Sequence, residues 1–136
     1  RKYGNSNKDD ANEKPKIVFA HPDNINITNL NELKEFFDSN ENFKIVNISE
    51  LTLQQKILEF SNTQIMISFD DNNEVSNAMW MPDDSTLIVL HDERARLSSA
   101  VNFVKSLNID VLSINIKFNQ KVEVPISSIE KILKDL

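Results

Sequence analysis

Residues 64–90 restrict the fold more than any other part of the sequence. Two short apolar runs lie in this stretch, at 65–69 and 86–90, and they are separated by an acidic turn and one short amphipathic segment. Apolar runs of four to eight residues bounded by turn residues are typical of buried strands. A strand, a short helix and a second strand in this order indicate a parallel α/β sheet.

The rest of the chain repeats this alternation of strands and helices. Apolar runs predict further strands at 16–20, 43–48 and 111–116, and a short extended stretch at 121–124. Stripes at helical spacing predict one helix capped by Thr28 or Asn29, and further helices that begin at Thr52, at about Arg94 (to 107) and after Pro125. The sequence therefore predicts an α/β, Rossmann-like, mostly parallel five-stranded sheet with helices on both faces.

Length and charge limit the classes of function. A chain of 136 residues with 40% hydrophobic and 26% charged residues is typical of one globular domain, which we assign to residues 16–136. Residues 1–15 have almost no apolar content, and we expect a disordered linker or tail there. The net charge of −6 argues against binding nucleic acid, and no apolar run approaches the ~20 residues needed for membrane insertion.

The sequence contains a single glycine and no cysteine. The one glycine, Gly4, lies in the predicted tail, so phosphate-binding loops that depend on glycine are excluded. Without cysteine the chain can form neither a disulfide framework nor a thiolate metal site. We predict no metal and no cofactor.

Three short motifs carry a resemblance to a known family. Residues 75–77 (Val-Ser-Asn), 80–82 (Trp-Met-Pro) and 85–90 (Ser-Thr-Leu-Ile-Val-Leu) follow one another with family spacing. They resemble the Leu-Thr-Asn, Phe-Met-Pro and Ser-x-Val-Ile-Glu-Leu of glycosyltransferase family 61, in its C-terminal, donor-binding half. This family includes protein O-mannose and O-linked N-acetylglucosamine transferases of the secretory pathway. The resemblance covers roughly 16–136, and only about 57–90 is specific.

The departures from the family pattern lie at the donor site. Where the family has His-Gly-Ala-Gly, this chain has Asp71-Asn72-Asn73-Glu74, and Val89 replaces the family's glutamate. In the family, the glycines bring a helix N-terminus against the donor's phosphates. The resemblance therefore implies a glycosyltransferase-like frame in which the donor-site motif is degenerate.

Two strand orders satisfy the alternating pattern. The order 3-2-1-4-5, with strands numbered along the chain, is favoured by analogy with the second half of a two-domain glycosyltransferase of the B type. The flavodoxin-like order 2-1-3-4-5 fits the bare pattern equally well. Ligands bind such sheets beyond the carboxyl ends of the strands, so either order directs attention to the same edge.

Polar side chains follow several of the predicted strands at that edge. His21 ends the first strand, Asp71 follows the third, and His91 and Arg94 follow the fourth. Histidine can act as a base or contact a phosphate, and arginine can bind an anion. These four residues are therefore candidate ligand-binding residues, and no catalytic residue is predicted.

The acidic turn after the third strand favours a structural role. Asp70, Asp71 and Glu74 stand where a short helix begins, and carboxylates there stabilise the helix dipole. Each also repels a phosphate by about 1 kcal/mol or more at close range. An acidic cap is therefore favoured over a nucleotide-sugar site, and the spacing does not fit an EF-hand loop.

Two hypotheses of function follow. The first is a degenerate glycosyltransferase-like domain that is non-catalytic and acts as a protein interaction or structural module, contacting another protein or the remainder of a parent chain. The second is a fragment of an active, divergent glycosyltransferase that binds a nucleotide sugar. The first predicts a shallow or filled crevice with an apolar patch elsewhere, and the second an open, positive crevice. The family resemblance implies a secretory-pathway or extracellular location.

Overall fold

The computed structural model describes residues 15–118 and 121–136. The predicted tail lies outside the described residues, apart from Pro15. The strands of the described part are β1 (Ile17–His21), β2 (Asn26–Ile27), β3 (Phe43–Asn47), β4 (Ile65–Phe69), β5 (Ser85–Asp92), β6 (Ile109–Ile116) and β7 (Lys121–Val122). Five of them form one sheet, and β2 pairs with β7 in a separate two-stranded ribbon.

Helices connect these strands. They are α1 (Leu30–Asp38), α2 (Leu53–Ser61), α3 (Asn72–Val75), α4 (Ser99–Lys105) and α5 (Ile126–Asp135), with 3-10 turns at Ile48–Glu50 and Ser76–Trp80. Helix α2 begins with the predicted capping box, in which Thr52 and Gln55 bond each other's backbone N–H. Asn29 precedes α1 but makes no side-chain cap bond; its amide instead bonds both backbone groups of Val124. None of the described helices is long and apolar enough to cross a bilayer.

The sheet order is β3-β1-β4-β5-β6, and each of its strand pairings is parallel. Numbered along the chain, the five strands lie in the order 2-1-3-4-5. The α/β fold with a parallel five-stranded sheet is therefore confirmed, while the favoured order 3-2-1-4-5 is wrong and the flavodoxin-like alternative is right.

Burial explains this order. All five residues of β4 are buried, whereas β3 places the exposed Lys44 between partly buried neighbours. A strand that is apolar on both faces requires cover on both faces and neighbours on both sides. Strand β4 therefore lies between β1 and β5, and β3 takes the edge, where Lys44 reaches Glu59 of α2 at 2.7 Å.

Two hydrophobic layers cover the sheet, one on each face. On one face, α1 and α5 pack against β1 and β4, and Phe19 contacts Phe37 and Phe69 with ring centroids 6.0 and 5.8 Å apart. On the other face, Phe60 of α2, the residues of α3 and its following turn, and Val101 of α4 cover Val18 and its neighbours. The predicted helices on both faces are thus confirmed.

The helix predicted at 94–107 is shorter than expected. It begins only at Ser99, after Ser98, whose hydroxyl accepts a bond from the Val101 N–H at 3.4 Å. The Ser98 N–H is held at 3.1 Å by the Asp70 carboxylate, which lies after β4. A tertiary contact therefore fixes the start of α4, and Arg94 lies in the preceding turn.

Replacement of Phe19 by alanine tests the packing of the central layer. We expect the free energy of unfolding to fall by about 3–5 kcal/mol, because the ring is fully buried between Phe37 and Phe69. Chemical denaturation measures the loss. Phe103→Ala is the matched control, since that ring is 50% exposed and its loss should cost less than about 1 kcal/mol. Equal costs for both variants would contradict this packing.

Candidate functional site

A polar groove of about 430 Å³ opens at the carboxyl ends of β1, β3 and β4. The chain leaves β1 through α1 towards β3, and leaves β4 in the opposite direction towards β5. Because β1 and β4 are neighbours, their boundary is a topological switch point, where ligands of open α/β sheets commonly bind. The corrected strand order therefore locates the crevice between β1 and β4, and the groove occupies it.

A hydrogen-bond network holds one wall of the groove. The Asn47 amide donates to Asp23 Oδ1 at 2.5 Å, and its oxygen accepts the Ser49 N–H at 3.0 Å. The Ser49 hydroxyl in turn accepts the Asp23 N–H at 3.0 Å. These bonds join the loop after β1 to the loop after β3, so this wall is preorganised.

The opposite wall is the acidic turn after β4. Asp71 caps α3, and its Oδ1 accepts the Asn73 N–H at 2.8 Å. The favoured interpretation of this turn as an acidic cap is thus confirmed for Asp71. Of the four residues predicted to bind a ligand, Asp71 is the one that lines the groove.

Glu74 also lines the groove, but it does not cap the helix. It stands three residues after Asp71, where a capping-box glutamate would reach back to the Asp71 N–H. That N–H already donates to the Phe69 carbonyl at 2.9 Å. The Glu74 carboxylate therefore cannot form the capping-box bond. Glu74 is only 5% exposed, and its Oε1 is buried without a hydrogen bond.

The surroundings of Glu74 change its protonation. Burial, and secondly the charge of Asp71, raise the pKa of the Glu74 carboxyl to about 8. The side chain is therefore mostly protonated at neutral pH. Perturbed carboxyl groups in a crevice are candidates for functional sites.

His91 lies outside the groove and belongs to a different cluster. Its Nδ1 is 3.0 Å from Asp70 Oδ2, and the two side chains are only 11% and 6% exposed. The same Asp70 carboxylate accepts the Ser98 N–H. This contact connects the ends of β4 and β5 to the start of α4.

His21 and Arg94 also make contacts within the domain. The His21 Nδ1 is 3.0 Å from the carbonyl oxygen of Pro22. Arg94 binds both carboxylate oxygens of Asp92 at 3.1 Å and donates to the Phe118 carbonyl at 2.7 Å. Hydrogen bonds from Arg94 lower the pKa of the Asp92 carboxyl. The four predicted residues therefore do not converge on one ligand.

Sequence reasoning missed the burial of Glu74 and the place of Lys56 in the groove. Lys56 lies on α2 and also lines the groove. The Asp-x-x-Glu spacing at 71–74 could have directed attention to Glu74. This spacing indicates a capping box unless the N–H of the cap residue is already bonded within the turn. Over residues 15–118 and 121–136, no cluster of three His, Asp or Glu side chains is placed to hold a metal ion.

No family model matches this chain, and no curated protein matches it. The resemblance to glycosyltransferase family 61 stays a prediction that depends on the motifs at 75–77, 80–82 and 85–90. Among the described residues, the geometry of the groove and its two walls is the basis for inferring function.

The stability of a Glu74→Gln variant should differ from that of the wild type in a pH-dependent way. With a pKa near 4.5 unfolded and about 8 folded, the folded state binds more protons between these values. Glu74 thus favours folding below pH 4.5, and this contribution is lost as the pH rises to about 8. The variant should gain stability over the wild type between pH 5 and pH 9, on the order of a few kcal/mol.

Urea denaturation at several pH values measures this difference. Glu50→Gln is the matched control, because Glu50 is exposed near the same sheet edge and a surface substitution of this kind should change stability by less than about 0.5 kcal/mol. A Glu74→Gln difference that is equally small at every pH would show that the Glu74 carboxyl is solvated rather than buried.

Proposed function

We propose that this chain is a non-catalytic protein interaction or structural module with a Rossmann-like, glycosyltransferase-like frame. Its partner would be another protein or other parts of the same protein. One observation carries the proposal. The His21 and His91 rings and the Arg94 guanidinium, which were expected to contact a sugar donor, instead form hydrogen bonds with other residues of this chain. A catalytic or donor-binding group has to be directed at its ligand.

The contacts of His91 support this proposal most strongly. Its ring is nearly buried and faces Asp70, which itself holds the N-terminus of α4. Loss of either partner would affect the junction of β4, β5 and α4. A junction of this kind is what a structural role requires.

The charge of the crevice also supports the proposal. The turn that aligns with the family's glycine-rich donor motif contributes Asp71 and Glu74 to the groove, against one cation, Lys56. A nucleotide sugar carries a diphosphate, and Asp71 would repel it. The Glu74 side chain also occupies space that a glycine would leave open to the phosphates.

Three exposed apolar side chains lie on elements that cover one face of the sheet, whereas Leu136 directly follows α5, which covers the other face. Leu58 on α2, Met79 in the turn after α3 and Phe103 on α4 are 68%, 41% and 50% exposed. The elements that carry them pack on the same side of the sheet. Apolar side chains grouped on one surface favour a protein-contacting role.

Nucleotide binding separates this proposal from the glycosyltransferase alternative. We expect no change in thermal midpoint with millimolar UDP, GDP or their sugars, with or without Mn²⁺, because the acidic wall repels the diphosphate. A ligand at 100 times its dissociation constant would add about 2.7 kcal/mol and raise the midpoint by several degrees. A nucleotide-dependent rise that Asp71→Asn strengthens or Lys56→Gln abolishes would establish a donor site and contradict the proposal.

Replacement of His91 by alanine tests its structural role. The variant should lose about 1–3 kcal/mol of unfolding free energy, because Asp70 remains nearly buried without its main partner. Residues held ready for a ligand often cost stability, so a ligand-binding histidine would be neutral or stabilising on removal. His21→Ala is the control; its ring contacts a local carbonyl, and the loss should be smaller. A more stable His91→Ala variant would favour the alternative.

A further inference from the structure

Among the residues that the structure describes, Glu74 has a buried side-chain oxygen without a hydrogen-bond partner. Glu74 lines the groove, its residue is 5% exposed, and Oε1 has no hydrogen-bond partner within the domain. Buried polar atoms are nearly always bonded, and an exception requires an explanation. Oε1 itself is closed to solvent, so a ligand in the groove would act on the Glu74 carboxyl as a whole, through its charge.

The charges around the groove limit the chemistry of such a ligand. The charged residues of its lining are Asp71 at the cap of α3, Lys56 on α2 and Glu74 itself. The loops after β1 and β3 contribute uncharged residues. An anion would face Asp71, whereas a cation near the α3 wall would be attracted by Asp71 and by an ionised Glu74.

We propose that the groove binds a primary ammonium group, with Glu74 as its ion-pair partner and Asp71 as a second negative charge. Charge-assisted hydrogen bonds of this kind are stronger than neutral ones. The ammonium replaces the acid proton of Glu74, and that proton passes to solvent. A small free amine and the lysine side chain of a protein both carry this group. This ligand site is additional to the proposed interaction role.

Lys56 contributes a positive charge to the lining of the same groove. Its own positive charge lies in the part of the lining that α2 contributes, so a bound cation is favoured on the side of α3.

Titration with n-butylamine, followed by the backbone amide resonances of the full chain, tests the proposal. Because its pKa is close to that of lysine, about 10.4, butylamine stays charged at pH 9. The ionised fraction of Glu74 rises from about one tenth at pH 7 to about nine tenths at pH 9, so affinity should rise about tenfold. Saturable shifts are expected at residues 71–74. The neutral analogue n-butanol should bind far more weakly.

Two variants and a peptide complete the experiment. Glu74→Gln, which keeps the shape and removes the charge, should abolish the pH-dependent binding, and Glu50→Gln should retain it. If Glu74→Gln does not fold, the comparison of butylamine with butanol on the wild type decides. Nα-acetyl-lysine methylamide that binds as tightly as butylamine assigns the site to a protein lysine. Weaker binding of that peptide assigns it to a small amine.

Three results would overturn the proposal. These are the absence of saturable shifts with butylamine at pH 9, equal binding of butanol, and unchanged binding to Glu74→Gln. A failure of this kind leaves the nucleotide and His91 experiments unaffected, so the ammonium site and the interaction role are tested separately.

Discussion

The fold depends on the requirement that a parallel sheet, apolar on both faces, be covered on both faces. Strands β1 and β4 are almost fully buried and alternate their side chains between two separate hydrophobic layers. One layer needs α1 and α5, and the other needs α2, α3 and α4. The chain runs from β1 and from β4 in opposite directions along the sheet, and the groove opens between the carboxyl ends of these two strands.

The turn after β4 gives its two acidic residues Asp70 and Glu74 different surroundings. Asp70 lies towards β5, where His91 and the Ser98 N–H satisfy its carboxylate. Glu74 lies on the groove side, where the cap N–H it would use is already bonded to Phe69. The domain thus joins its strand ends with one carboxylate and leaves the other buried beside a solvent-open groove. The interaction role relies on the first arrangement and the ammonium site on the second.

Much of the fold could be predicted from local patterns. The strands, the faces of the helices and the Thr52 capping box follow from periodicity and cap chemistry. The strand order was mispredicted by analogy, although the unbroken apolar run of β4 and the exposed Lys44 in β3 already indicated which strand is central. The start of α4 and the burial of Glu74 could not be predicted, because they depend on the contacts made by Ser98 and by the Asp71 N–H.

The central claim is that the Glu74 carboxyl is buried beside the groove and does not cap α3. The pKa of this carboxyl tests the claim most directly, because the proposed ammonium site also requires a buried carboxyl. A pH titration of the side-chain carboxyl carbon by nuclear magnetic resonance measures this group alone. The structure predicts a midpoint at about 8, caused by burial and by the Asp71 charge. A midpoint near the ordinary 4.5 would show a solvated carboxylate and contradict the account.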